Sequence, residues 1–460
     1  MESLLMSDTD SPLLTDFYEI TMAAAYFESG QKDRVGVFEM FVRNFPRNRR
    51  YLVAAGLEQV IHYLLNFRFS SSHISFLKSQ KELKHVSENF YDYLRGLRFT
   101  GNVWAIPEGT IFFPNEPVIR VEAPIIESQI IETYLLSTIN FQTLIATKAS
   151  RIVSSAGNSP VFEFGSRRAH GPNASVLAAR ASFIAGCSGT SNSFAGYKLG
   201  IPVSGTMAHS FIMNYDSELD AFSEFSKVFP SATLLVDTYD PFKAISKIID
   251  SRMSVACVRI DSGDLLSTSK KIRRILDSSG YASTKIMASG NLNEYSIGDL
   301  LAKSAPIDYF GVGTELATSR DDPALEGVYK LVAIKSRLKG DQEFQISYKQ
   351  KTSPGKTTYP APKQVFRILR DGIIDRDVLT VEGDTVDQGI SLLLQYMDRG
   401  KVIRALPSLK SIRSKHREGL KALPAALREI HSESESSSTI VVIGKKLKQI
   451  IGEPDTKLVL

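Results

Sequence analysis

The chain has 460 residues, 43% of them hydrophobic and 23% charged, enough for a large core in two or three domains or in one barrel with a companion. Its 55 Lys and Arg against 50 Asp and Glu leave a net charge of +5. That charge is spread along the chain, which suits anionic metabolites and argues against a nucleic-acid binder.

Two cysteines, Cys187 and Cys257, lie outside any CxxC spacing, so neither a disulfide framework nor a structural zinc site is expected. The opening MESLLMSDTDSPLL carries acids and no basic start, unlike a signal peptide. No run of about 18 apolar residues suggests a membrane span. Together these features predict a cytoplasmic protein with no membrane partner.

Residues 16–27, DFYEITMAAAYF, have helical periodicity behind Thr15 and Asp16, both N-capping types. RVGVFEMFVR alternates like a strand, and LVAAGLEQVIHYLLNF reads as an amphipathic helix. Residues 101–124, GNVWAIPEGTIFFPNEPVIRVEAP, break into short apolar runs between Pro, Gly and Asn, the pattern of several short antiparallel strands. IIESQIIETYLLSTINFQTLIATKASRIV then predicts one long helix.

Beyond it, continuous apolar runs end repeatedly in polar or Gly-rich punctuation: VFEFGSRRAHG, IPVSGTMAHS, ATLLVDTYDP, VACVRIDSGD, KIMASGNLN and DYFGVGTE. Helical stretches separate them. Such strands are buried on both faces of a parallel sheet, and six in a row predict a (β/α) barrel or a doubly wound sheet. From about Val332 the pattern decays. SYKQKTSPGKTTYPAPKQVFRI reads as loop with strand edges, residues 408–435 as helical, HSESESSS as a solvated linker, and IVVIGKKLKQIIGEPD as a final helix or tail.

In a barrel the residues just past each strand converge on one face. Here they are Glu163, Arg167, Arg168 and His170; Thr206 and His209; Asp237 and Asp240; Arg259, Asp261 and Asp264; Ser289, Gly290 and Asn291; and Gly311, Gly313 and Thr314. The turns ASGN and GVGT let backbone N–H groups approach a phosphate, although a tight βα turn explains each one as simply. Arg259 lies inside VACVRID, where an unpaired charge is costly; it grips an anion or pairs with an acid such as Asp261. Asp237, Asp261 and Asp264 suit magnesium with substrate oxygens, a ribose hydroxyl, or the orientation of a histidine; helix capping is the plainer role of Asp240 and Asp264. Asp237, at a strand end, is the candidate to orient His209. His209 follows the apolar run Ile201, Pro202 and Val203, read as a buried strand. Its imidazole can serve as acid, base or phosphoryl acceptor.

Taken together, TDFYEITM, FEFGSRRAHG, GTMAHS, VRIDSGDL, FGVGTE and GVYKLVAI resemble the nicotinate phosphoribosyltransferases, from about residue 13 to 369. The strand-rich stretch 101–124 resembles the companion domain of the wider type II phosphoribosyltransferases. The resemblance implies an irregular (β/α) barrel over 129–335, with an α+β companion of short antiparallel strands built from 1–128 and 336–460. It implies transfer of phosphoribosyl from phosphoribosyl pyrophosphate to nicotinate, giving nicotinate mononucleotide and pyrophosphate in NAD salvage. The coupling is a ligase-type ATP hydrolysis through phosphorylated His209, with Mg²⁺ present.

Residue by residue, the resemblance makes Tyr18 the aromatic that stacks on the pyridine, donated across a homodimer with shared active sites. Thr206 and Arg259 hold nicotinate, and Arg167 lies near the pyridine and diphosphate. Asp237 orients the histidine, while Asp261 stands near ribose and magnesium. Gly290, Gly311 and Gly313 form 5′-phosphate loops, and Thr352 contacts phosphoribosyl pyrophosphate. Asn291 stands where relatives carry an acid. Nicotinamide phosphoribosyltransferase is the alternative, and a non-catalytic protein on the same scaffold the second. Quinolinate phosphoribosyltransferase needs no such histidine, so His209 counts against it.

Overall fold

The computed structural model describes residues 11–336, 345–353, 356–430 and 440–452. Internal contacts divide the chain into two units. One comprises Met1–Thr143, Ala324–Leu427 and Ser434–Leu460, the other Leu144–Pro323 and Arg428–Glu433. The first thus draws on both ends of the chain.

That first unit is built on a seven-stranded antiparallel sheet. Its spatial order is Gln345–Tyr348, Gly327–Ser336, Val35–Val42, Pro117–Pro124, Asn102–Ala105, Leu394–Asp398 and Lys401–Val402. The short strands expected over 101–124 are present: Asn102–Ala105, Ile111–Phe112 and Pro117–Pro124. Val35–Val42 departs from the half-buried alternation its sequence suggests, because every residue after Val35 is buried. Successive side chains point to opposite faces, so both faces of this strand are covered. The cost appears at Glu39, fully buried at the strand centre and held by the Lys363 ammonium at 2.7 Å and the Lys363 N–H at 2.7 Å.

The helix expected in one piece over IIESQIIETYLLSTINF is two, Ile125–Ile130 and Glu132–Ala156. Just past the break the Thr133 N–H donates to the Glu19 carboxylate at 3.1 Å, a tertiary bond that sequence periodicity does not report. A second, four-stranded sheet (Ile390–Ser391, Lys363–Arg370, Ile373–Val381, Val441–Ile443) incorporates the tail. The segment read as helix or tail is therefore a strand followed by the helix Lys445–Ile451. The linker HSESESSS lies outside the described residues.

The second unit carries six parallel strands in the order Gly189–Thr190, Val161–Glu163, Tyr309–Val312, Lys285–Ala288, Cys257–Ile260 and Thr233–Leu235. Among the described residues the two edge strands do not pair with each other, so the curled sheet is an open half-barrel, the irregular barrel the motifs imply. Continuous apolar strands suit it: Leu234, Leu235, Val258, Ile260, Ile286, Ala288, Phe310 and Val312 are all essentially inaccessible. Helices Pro241–Asp250, Leu265–Ser278 and Glu294–Ala302 bury Ile245, Ile248, Ile272, Leu276 and Ile297. Each such side chain contributes about 1.5–3 kcal/mol on leaving water.

One strand expectation fails. Ile201, Pro202 and Val203 do not form a buried strand: Val203 is 62% exposed and only bridges Thr190. Pro202 has no N–H to give a ladder and offers only its carbonyl, to the Thr190 N–H. The strand at this edge is Gly189–Thr190.

Candidate active site

Parallel strands deliver their polar residues at their carboxyl ends, as the barrel reading requires. Arg259 is the hub. It sits within Cys257–Ile260, and its side chain is 14% exposed. A guanidinium there needs partners, and it has several. Nε donates to Ser289 Oγ at 2.8 Å, Nη1 to Thr206 Oγ1 at 2.6 Å and to the Met207 carbonyl at 3.4 Å, and Nη2 to Asp261 Oδ1 at 2.8 Å. Ser289 also donates to Asp261 Oδ1. One arginine thus ties together the ends of two strands and the loop that leads to His209. Burial alone would raise the Asp261 carboxyl. The hydrogen bonds from Ser289 and Arg259, with the nearby charges of Arg259 and His209, hold it below the ordinary aspartate value.

His209 opens the short helix His209–Met213. Its Nδ1 lies 3.1 Å from Thr238 Oγ1. The acid expected to orient it is engaged elsewhere: Asp237 Oδ2 accepts from the Asp261 N–H and from Ser262 Oγ, both at 2.8 Å. Asp237 therefore braces the Asp261 turn, and its neighbour Thr238 meets the histidine. Asp237 Oδ1 is buried with no hydrogen-bond partner among the described residues. Asp240 and Asp264 do cap helices, each accepting from two backbone N–H groups at 2.9–3.1 Å.

The glycines divide by role. Gly290 has φ +106°, and a Cβ there would lie 2.3 Å from the Asp261 carbonyl oxygen, so only glycine fits beside this turn. Gly313 would bring a Cβ to 3.3 Å from the Phe164 carbonyl. Gly311 lies inside the strand Tyr309–Val312, where a Cβ would strike the Phe164 ring at 2.6 Å; packing accounts for it. Arg167 is exposed and has no ion pair among the described residues. Its turn is fixed by buried Glu163, which accepts from the Gly165 N–H and, at 2.5 Å, from Thr190 Oγ1.

The remaining two expected residues belong to the other unit. Tyr18, on the helix Phe17–Glu28, is 47% exposed; partial burial and the charge of Glu132, to which it is hydrogen-bonded, push its hydroxyl up to about 12. Thr352 is exposed. Its neighbour Lys351 belongs to a cationic group with Lys330 and Arg43: burial, then these two charges, lower the Lys330 ammonium against the opposing pull of Glu132. Arg43 Nε is buried without a hydrogen-bond partner among the described residues. Sequence reading did not single out Arg43, the last residue of the strand-like run RVGVFEMFVR, or Lys330, although Lys330 lies within the motif GVYKLVAI. It also missed Thr238 and Ser262, although each hydroxyl immediately follows an aspartate that it had singled out.

Among the described residues no three His, Cys, Asp or Glu side chains converge on a metal position, and no helix is long and apolar enough to cross a membrane. The pair Asp237 and Asp261 nevertheless fits a hard cation carried by a substrate: one buried carboxylate oxygen is orphaned beside a second carboxylate that is 31% exposed.

Residues 13–140 match the model of the nicotinate phosphoribosyltransferase N-terminal domain, and residues 160–367 match the model of the nicotinate phosphoribosyltransferase family. Nicotinate phosphoribosyltransferase pncB2 of Mycobacterium tuberculosis is 43% identical over 431 residues, covering 92% of this chain and 90% of its own. The Bacillus subtilis nicotinate phosphoribosyltransferase is 44% identical over 369 residues, covering 79% and 74%. Among solved structures, human nicotinic acid phosphoribosyltransferase superposes with a TM-score of 0.81 at 25% identity, covering 95% of this chain and 99% of that one. A nicotinate-nucleotide pyrophosphorylase from Pyrococcus furiosus shares the fold, with a TM-score of 0.73 at 23% identity.

Proposed function

The chain belongs to the nicotinate phosphoribosyltransferase family, and on that premise we propose that it joins nicotinate to the ribose of phosphoribosyl pyrophosphate, releasing pyrophosphate, in NAD salvage. The observation that carries this reading is the Arg259 cluster, where a strand-borne cation, two carboxylates and two hydroxyls converge beside an imidazole. As the bond from ribose C1 to the diphosphate lengthens, positive charge develops on the sugar. Asp261, kept ionised by Arg259 and Ser289, suits that charge. The pyridine nitrogen then closes on C1, held by Thr206 and Arg259.

Magnesium, when bound, neutralises the diphosphate leaving group; Asp261 and the orphan oxygen of Asp237 are the residues to hold it. The Gly290 and Gly313 turns offer backbone N–H groups to the 5′-phosphate, and Arg167 adds an exposed cation. Tyr18 would reach the pyridine of a second copy in a homodimer.

For the ATP coupling, Thr238 holds His209 at Nδ1, and with the proton on Nδ1 the Nε2 lone pair would be the nucleophile. Attack of Nε2 on the γ-phosphorus of ATP breaks the β–γ bridge and releases ADP. Later hydrolysis of the phosphohistidine returns the imidazole and phosphate.

The test is a product assay with phosphoribosyl pyrophosphate and magnesium. It compares nicotinate, nicotinamide and quinolinate, with and without ATP, for the native protein and His209→Ala. The reading expects nicotinate alone to react, ATP to drive product accumulation, and the variant to lose that drive while keeping the ATP-independent transfer. Preference for nicotinamide would overturn the substrate assignment, and an ATP effect surviving in His209→Ala would overturn the role of the histidine.

A further inference from the structure

The reaction as described leaves one buried ionic cluster of the half-barrel unit unused. Lys148 and Arg151 sit three residues apart on the helix Glu132–Ala156, hence on one face, and their side chains are 1% and 2% exposed. Between them lies the fully inaccessible Glu294. Lys148 Nζ is 2.6 Å from Glu294 Oε2 and Arg151 Nε is 3.1 Å from Glu294 Oε1. Lys148 also donates to Asp321 Oδ1 at 2.9 Å, and Arg151 Nη2 to the Tyr295 hydroxyl at 3.3 Å. Despite its burial, Glu294 is held below the ordinary glutamate range by these two cations.

The acids' places in the chain give the cluster its meaning. Glu294 is the first residue of the helix Glu294–Ala302, entered directly from the Ser289–Gly290 turn through the cap Asn293. Asp321 follows the short helix Thr314–Ala317, entered from Gly313. The two glycine turns end adjacent parallel strands, Lys285–Ala288 and Tyr309–Val312, and among the described residues no backbone hydrogen bond joins one turn to the other. One ammonium spans the segments behind both. A buried cluster of this kind is often no more stabilising than an apolar contact of equal volume, so a role in geometry is the one tested below.

We propose that Lys148 is a positioning residue: by tying Glu294 to Asp321 it sets the spacing of the Gly290 and Gly313 turns, so that their N–H groups form one cradle for the 5′-phosphate of the phosphoribosyl substrate. The proposal rests on the phosphate reading of these turns given above. A misplacement of the turns of order 1 Å would weaken phosphate binding without touching the groups that act at ribose C1.

The test measures KM for phosphoribosyl pyrophosphate, KM for nicotinate and kcat, with calorimetric binding of ribose 5-phosphate, for Lys148→Met and Asp321→Asn. Asp321, 21% exposed against 1% for Lys148, is the less buried of the two, so Asp321→Asn is the milder variant. The expected result is a rise of about tenfold in KM for phosphoribosyl pyrophosphate and in Kd for ribose 5-phosphate. KM for nicotinate and kcat stay within about twofold. A fall in melting temperature or in kcat with both phosphate affinities unchanged would mean a purely structural cluster and would overturn the proposal. Failure of the native protein to bind ribose 5-phosphate would remove the phosphate reading itself, and the two failures are told apart by that native control.

Discussion

Replacing Glu19 with Gln should remove a specific pH dependence of stability. Glu19 is fully inaccessible; burial pushes its carboxyl up from 4.5 to about 7, although hydrogen bonds from Thr133 and Thr15 oppose the shift. The folded state therefore holds this proton more tightly than the unfolded state. The associated stability is present at low pH and is lost as pH rises from 4.5 through 7. With those two values, the group alone costs the native protein about 2.5 kcal/mol between pH 5 and pH 8. Glutamine preserves the local pattern. Its carbonyl accepts from Thr133 Oγ1, and its amide donates to Thr15 Oγ1, whose own proton goes to the Ile130 carbonyl. Urea unfolding of both proteins at pH 5 and pH 8 gives the double difference, in which other titrating groups cancel. A double difference of about 2 kcal/mol or more, with Glu19→Gln the less pH-sensitive protein, is expected. Equal slopes in the two proteins would refute a neutral, buried Glu19.

Two other substitutions follow the same physics. His416 is buried on the helix Leu409–Ala422, and burial lowers it from 6.5 to about 4 against the opposing effect of a Gly109 backbone hydrogen bond. Stability should therefore fall as pH drops from 6.5 through 4, by up to about 3.4 kcal/mol. His416→Leu should flatten that acid limb in urea titrations, and an unchanged limb would mean that the imidazole finds a partner. Gly290→Ala must accommodate φ +106° and a Cβ 2.3 Å from the Asp261 carbonyl oxygen. We expect at least about 2 kcal/mol of lost stability and a large rise in KM for phosphoribosyl pyrophosphate, measured by unfolding and steady-state kinetics.

The half-barrel was legible because its physics is local in sequence. A strand covered on both faces must be apolar, and five of the six runs were such strands ending in polar residues, whereas the short edge strand Gly189–Thr190 left no apolar run to read. What escaped reading was set by tertiary contact. Glu39 sits in a strand that looked half-solvated, and Lys363, hundreds of residues later, makes its burial tolerable. Just past the helix break before Glu132, the Thr133 N–H goes to a carboxylate from the helix Phe17–Glu28. At the site, the acids and Arg259 were identified as residue types, but their pairing was not. Asp237 and Thr238 are neighbours in the loop that follows the strand Thr233–Leu235, and the path of that loop, rather than composition, decides which of them meets His209.

That pairing bears directly on Arg259. A guanidinium has five N–H groups. Within the described residues Arg259 commits Nε, both protons of Nη1 and one of Nη2 to Ser289, Thr206, Met207 and Asp261. One proton remains, so a two-pronged grip on a pyridine carboxylate would require giving up a partner. The side chain is better suited to a single contact or to lying against the ring, while it keeps Thr206 and Asp261 in place. Arg259→Lys separates these roles, since a lysine supplies charge to Asp261 but cannot bridge Ser289 and Thr206. Hydrogen bonds to charged groups are worth about 1.5–3 kcal/mol each, so losing the bridge should lower kcat/KM by about a hundredfold or more. If charge alone mattered, Arg259→Lys would stay within about tenfold of the native enzyme while Arg259→Met collapsed, and the organising role assigned to the fork would be wrong.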